Sequence, residues 1–304
     1  MPPAPPPRTH FVGCGRLGLT LGRLFTERGL IAPADVLTRS LGSAEAACAF
    51  IGGGRAIERA SELGPAELVL VLTPDADLAA TAEALARTAL DFDGVAVVHA
   101  SGALSSELLA PLRERGAAVA SVHPIRSFAV AERRDDVLEG IVCGAEGDAQ
   151  ALALATPIFE AAGARIVRIE PDAKPLYHAA AVLACNHLVG LVESSLQAYA
   201  AAGVDRASAM AALEPLVRGT VDNLFERGPA GALSGPIVRG EAELVARQID
   251  GLTAVSPELG AVYRVLAGQT LPLARTVEGT DPDRLDAVSA ALASAPGAEP
   301  VDDD

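Results

Sequence analysis

At 304 residues, half of them apolar, the chain exceeds the size at which one hydrophobic core keeps growing, so two domains are expected. Its formal net charge of −15 lacks the basic footprint that nucleic acid or an anionic membrane requires. An anionic cofactor remains possible, because exposed charges are screened beyond roughly 8 Å and a few local donors can hold it.

After a proline-rich tail (1–8, expected disordered), Thr9 to Val12 read as a strand ending at Gly13, and Arg16 to Arg28 carry helical spacing of Leu17, Leu21, Leu24 and Phe25. A second strand, Asp35 to Thr38, leads into an alanine-rich helix from about Ser43. Glu67 to Thr73 is an apolar run of the kind buried in parallel sheets, and Pro74-Asp75 open a further helix. Val95 to Ala100, a helix from Ser105 to Arg115, and Ala117 to Val122 continue the alternation. Ile141 to Cys143 and Arg165 to Ile169 flank one more helix and extend the sheet. The fold class is therefore α/β, a doubly wound Rossmann domain over 9–170, followed by an all-α domain over 171–295. That second part reads as one long helix from Lys174 to Gly203, then helices near Arg206 to Arg227, Glu241 to Leu252, Pro257 to Thr276 and Pro282 to Ser294; an acidic tail, 296–304, is expected disordered.

Gly13-Cys14-Gly15-Arg16-Leu17-Gly18 sits after a predicted strand and opens a predicted helix, as a dinucleotide fingerprint requires. Gly13 permits the tight turn, Gly15 the approach of a pyrophosphate to the backbone, and Gly18 close packing of helix on strand. Where an NAD enzyme usually places an acid on the ribose, this chain has Thr38-Arg39-Ser40. A guanidinium with two hydroxyls suits the 2′-phosphate of NADP(H); the alternative is a solvated surface charge. Thr73 and Pro74 would run beside the cofactor or form a purely structural turn.

Reduction of a carbonyl or imine needs a proton donor and a substrate anchor where the strands end. Ser101 and Gly102 follow one central strand and His123 the next, which places them at that crevice. His123 can give or take a proton near neutral pH or bond a loop carbonyl; Ser101 binds ligand or caps a turn. Lys174 and His178, four apart, share a helix face, and with Asn186 they are candidates for proton transfer and substrate orientation, against ordinary helix packing and a solvated lysine. Arg239, in a Gly/Pro-bounded loop, can present a guanidinium to a substrate carboxylate or spend it on an internal salt bridge. No metal is expected: the histidines lack ligand spacing, and Cys14, Cys48, Cys143 and Cys185 fit neither a zinc site nor a disulfide framework.

His99-Ala100-Ser101-Gly102-Ala103-Leu104, Ser121-Val122-His123-Pro124-Ile125-Arg126-Ser127-Phe128, Tyr177-His178-Ala179-Ala180-Ala181, Asn186-His187 and Gly235-Pro236-Ile237-Val238-Arg239-Gly240-Glu241 together resemble a family of Rossmann-like NADP-dependent dehydrogenases with an all-α C-terminal domain of unknown function. At Glu241 the family more often has Asp, and a His common near Arg247-Gln248 is absent. The resemblance implies kinship with 6-phosphogluconate dehydrogenase and ketopantoate reductase, a nicotinamide lying between the domains, and a homodimer formed through the helical domain. The Lys with Asn one turn later used by ketopantoate reductase is not reproduced.

The expectation is a cytoplasmic oxidoreductase using NADP(H) on a small 2-oxo acid, carbonyl or imine, with ketopantoate one specific possibility. A non-catalytic dinucleotide sensor is the alternative. The run Ala179–Ala202 is interrupted by Asn186, His187, Glu193 and Gln197, which argues against a membrane span, and the N-terminus lacks secretory-signal features.

Overall fold

Short buried runs of Val and Leu separated by amphipathic alanine-rich segments give alternating strands and helices. In chain order these are β1 (Arg8–Val12), α1 (Arg16–Glu27), β2 (Ala32–Leu37), α2 (Leu41–Ile51), β3 (Arg55–Ile57), β4 (Leu68–Val71), α3 (Asp75–Ala86), β5 (Ala96–His99), α4 (Ala110–Arg113), β6 (Ala118–Pro124), β7 (Val142–Gly147), α5 (Ala149–Ala161), β8 (Arg165–Arg168) and α6 (Lys174–Ala184). The computed structural model describes residues 5–294. Half of the expected N-terminal tail (1–4) and all of the C-terminal one (296–304) lie outside the described residues. Arg8, placed in that tail by the sequence, already belongs to β1, where its amide donates to Glu67 Oε2 at 2.7 Å.

The eight strands order as β3-β2-β1-β4-β5-β6-β7-β8. From β3 to β6 neighbours are parallel, and β7 runs antiparallel to β6. The parallel order expected throughout breaks there because an irregular segment, not a crossover helix, joins β6 to β7, so the chain returns in the opposite sense. On one face Leu21, Leu24 and Phe25 of α1, Ala44 and Ile51 of α2 and Phe159 of α5 cover Phe11, Val36, Leu70 and Val98. On the other, Leu78, Ala82 and Leu85 of α3 cover Val69, Val71 and Val97. Each fully buried Leu or Phe contributes about 1.5–3 kcal/mol, and it is this two-sided burial that fixes the strand ends on which the site stands.

The long helix expected from Lys174 to Gly203 is two: α6 stops at Ala184, Cys185 takes φ −110° and ψ −63°, and α7 (Asn186–Ala201) begins. By length and composition the run Pro171–Ala201 could cross a membrane, with mean hydropathy 1.4, but Lys174 and Glu193 lie within it. The chain forms two compact units that meet in sequence at Ala184/Cys185. The boundary set at 170/171 from periodicity thus cuts off α6, which packs with the sheet through Lys174 and Tyr177.

The second unit is all helical. After α7 come α8 (Arg206–Ala232), interrupted at Gly228, then α9 (Ala242–Val255), α10 (Pro257–Ala274) and α11 (Pro282–Ala293). Asp205, Ser256 and Asp281 accept amide hydrogens at the starts of α8, α10 and α11, satisfying orphan donors there. One core joins Val245, Ile249, Leu271 and Leu285, and a smaller one Leu196, Ala209 and Leu213.

Candidate active site

A cleft of about 900 Å³ opens where β1, β2, β4 and β5 end. The strand order reverses between β1 and β4, and that is where ligands enter sheets of this kind. Gly13 has φ +83°, and a Cβ there would lie 2.7 Å from Thr73 N and 2.8 Å from Leu72 C. A Cβ on Gly15 would meet nothing within 4 Å, whereas one on Gly18 would press on Gly13 O and Leu72 at 3.2 Å. The three glycines therefore serve a turn, an open approach and a packing contact. No side chain caps α1 and no acid stands in its first turn, so its orphan amides and positive end are open to an anion.

The rest of the wall suits a phosphorylated dinucleotide. Thr73 Oγ1 is buried without a hydrogen-bond partner, a donor that a polar ligand would satisfy. Arg39 is exposed on the rim and makes no ion pair with any described residue. Thr38, Arg16 and Pro74 also line the cleft. Ser40 does not: its hydroxyl caps α2 by accepting from Ser43 N at 3.3 Å, and Ser43 reaches the cleft instead. Cys14 lines it too, but burial, and then neighbouring Cys48, pushes its thiol up to about 12, so it stays protonated. Leu17 packs against the core.

Past Ser101, at the end of the cleft, stands a buried polar cluster. Ser101 Oγ donates to Asp75 Oδ2 at 2.9 Å and accepts from the amides of Ala103 and Leu104; its hydroxyl is spent on the turn. His123 is the last residue but one of β6, and His178 faces it from α6 with ring centroids 5.9 Å apart. Between them lies Gly102, whose absent Cβ would sit 2.6 Å from His178 Nδ1 and 2.9 Å from His123 Nε2. The Nδ1 atoms of both rings, and Nε2 of fully buried His99, have no partner. Burial, and then the Lys174 ammonium and His178, pull His123 down to about 4, so it is neutral at neutral pH.

Lys174 is not the solvated lysine that a helix end suggests: it is fully buried. Its Nζ donates to Ser101 O at 2.7 Å and to Ser121 Oγ, with Glu146 Oε1 at 3.7 Å. Burial lowers it to about 8 despite the opposing pull of Glu146 and Asp75.

Residues 6–124 match the model of a Rossmann-like domain, and residues 141–270 that of a domain of unknown function, DUF2520. The two matched segments follow one another along the chain. Among solved structures it is similar to protein TM1727 from Thermotoga maritima, at 28% identity over 88% of this chain and 98% of that one, with a TM-score of 0.72. It also resembles in fold the reductive aminase from Aspergillus terreus in complex with NADPH and ethyl levulinate (15% identity, 94% and 99% covered, TM-score 0.62). The imine reductase from Myxococcus stipitatus in complex with NADP+ is alike to a similar degree (14%, 94% and 100%, 0.63). No curated protein matches the sequence.

The cluster draws on both matched segments: Ser101, Gly102 and His123 come from the Rossmann-like one, Glu146, Lys174, Tyr177 and His178 from the DUF2520 one. Asn186, grouped with them from the sequence, belongs to the second unit and is exposed. Arg239, in the same unit, is exposed and pairs with Glu241 through contacts of 2.8 and 3.0 Å. From the sequence His99 and Tyr177 stand only as members of the quoted motifs, with no role assigned, and Glu146 is not singled out. Tyr177 Oη accepts from Gly144 N at 3.0 Å, and Glu146 takes the amide and hydroxyl of Ser106 at 2.8 and 2.7 Å. The available signal for Glu146 was an acid inside an otherwise apolar strand, which demands a counter-charge when buried.

Proposed function

We propose that the chain is an NADP(H)-dependent oxidoreductase acting on a small carbonyl or imine. One observation carries the reading: a cleft built for a dinucleotide ends at Ser101, next to Gly102 and two imidazoles with unsatisfied nitrogens. When bound, the reduced nicotinamide supplies a hydride. The first turn of α1 and the Gly15 amide hold the pyrophosphate, and Arg39 with Thr38 the 2′-phosphate. His178 or His123 relays a proton from solvent to the substrate oxygen or nitrogen as its electron pair develops, taking one up at one ring nitrogen as it gives one from the other. A neutral His123 donates one N–H while accepting at the other nitrogen. The second unit leaves Val189, Phe225 and Val265 largely exposed, which favours burial against another copy of the chain, and we place this homodimer in the cytoplasm.

Purified protein with NADPH and a panel of 2-oxo acids (ketopantoate among them), ketones and cyclic imines should show steady loss of absorbance at 340 nm with at least one compound. Tight binding without turnover across the panel would instead make the chain a dinucleotide sensor. Arg39→Ala should weaken NADPH by roughly 10- to 100-fold, the worth of one charge-assisted hydrogen bond, and leave NADH unchanged. An equal loss for both coenzymes removes Arg39 from the 2′-phosphate.

A further inference from the structure

We propose that Lys174 is a positioning residue: its ammonium locks the first turn of α6 onto the ends of β5, β6 and β7, and so holds His178 against Gly102 opposite His123. The proposal rests on the oxidoreductase reading only for its effect on turnover.

Three observations support it. First, the ammonium is occupied. Its hydrogens face Ser101 O at 2.7 Å, Ser121 Oγ and Glu146 Oε1 at 3.7 Å, and the side chain has no exposed surface. Nothing remains to reach a substrate. Second, a cation on the first residue of a helix opposes the helix dipole, so the sheet edge, not α6, accounts for its placement. Third, the residues one turn on are fitted as closely as Lys174. Tyr177 and His178 stand at i+3 and i+4 on the same face, and each meets a glycine: Tyr177 Oη takes the Gly144 amide at 3.0 Å, and His178 occupies the space a Gly102 side chain would fill. Lysine, tyrosine and histidine thus enter three seats spread over β6, β7 and the turn after β5. The ammonium also supplies the counter-charge for Glu146, which is buried and holds Ser106. Charged and titratable groups around His123 are Lys174, Tyr177 and His178 from α6, His99 from β5 and Glu146 from β7, with Asp75 reaching the set through Ser101.

The test uses the full chain with isotope-labelled histidine and lysine. In the wild type at pH 6, Lys174 should give a slowly exchanging 15Nζ signal, and His178 ring protons should show a nuclear Overhauser contact to the Gly102 α-protons. Lys174→Met/Glu146→Gln removes both buried charges together, which protects folding; circular dichroism would verify it. In that variant the His178–Gly102 contact should vanish, and the His123 midpoint should climb by one unit or more towards its ordinary 6.5 as the neighbouring cation is lost. Turnover should fall at least 10-fold with the KM for NADPH unchanged. A solvent-like Lys174 signal in the wild type overturns the proposal even if the variant does not fold, as does an unchanged contact and midpoint in a folded variant. Restoration of Lys174→Met turnover by added alkylamine would make Lys174 the proton donor and overturn it too. Absence of turnover in the wild type would instead sink the oxidoreductase reading, leaving the spectroscopic arms to decide the role of Lys174.

Discussion

Gly15→Ala is expected to weaken NADPH about 100-fold while leaving stability almost unmoved, and Gly13→Ala to damage both. The difference lies in what a methyl group would meet. At Gly15 the backbone has φ −70°, which alanine adopts freely, and the Cβ would point into open space at the mouth of α1. That space is where a pyrophosphate would approach the amides, so the methyl costs binding alone; 100-fold corresponds to about 2.7 kcal/mol. At Gly13 the left-handed φ of +83° already penalises alanine by about 1–2 kcal/mol. The Cβ would also collide with Thr73 N and Leu72 C, both backbone atoms that cannot swing aside, adding about 1–3 kcal/mol of overpacking. Urea unfolding and NADPH titration on the same samples check this. Equal stability losses in the two variants, or full NADPH affinity in Gly15→Ala, would remove the fingerprint from the binding site.

The glycine turn between β1 and α1 was legible because its part in the fold is backbone geometry, and glycine spacing records backbone geometry directly. Central strands were legible for a related reason: a run such as Leu68–Val71, buried on both faces, leaves an unbroken apolar signature. β3 left none. It is three residues, Arg55 to Ile57, with only Ile57 buried, too short to show a period. The break at Cys185 carries neither proline nor glycine, so the apolar pattern ran through it and hid the attachment of α6 to the sheet. The same misplacement bears on Lys174, whose spacing left a proton-transfer role and a solvated cation both open: α6 in the first unit instead buries it under Ser101 and Ser121. His123 and His178 were picked out as types that move protons, but their meeting over Gly102 joins residues distant in sequence and has no local signature. Ser40 shows the converse. Its chemistry fits a phosphate, yet helix capping takes the hydroxyl first.

Lowering the pH from 7.5 to 5 should cost the fold about 4 kcal/mol, through histidines rather than carboxylates. Burial, and then the Lys174 cation, holds fully buried His99 down to about 3; burial and the same cation hold His123 at about 4. Both rings are neutral in the folded chain, whereas in the unfolded chain they titrate near 6.5. Below that value the unfolded state gains protons the native state refuses, so this share of stability is complete above about pH 6.5 and drains away as the pH falls towards the folded values. At pH 5 each ring is about 1.5 units into its window and has cost about 2 kcal/mol. His10 adds in the same direction: burial lowers it between Gly64 O and the Asp35 amide. Most carboxylates are still ionised at pH 5 in either state, so the window belongs to imidazole. Urea unfolding at the two pH values measures the drop, and His99→Gln should cut it roughly in half whatever that variant does to stability at pH 7.5. A drop under about 1 kcal/mol, or one untouched by His99→Gln, would mean that these rings accept protons in place. They would then titrate near the ordinary imidazole value of about 6.5, and a His123 held neutral beside Gly102 could not be part of the proton-handling device of the site.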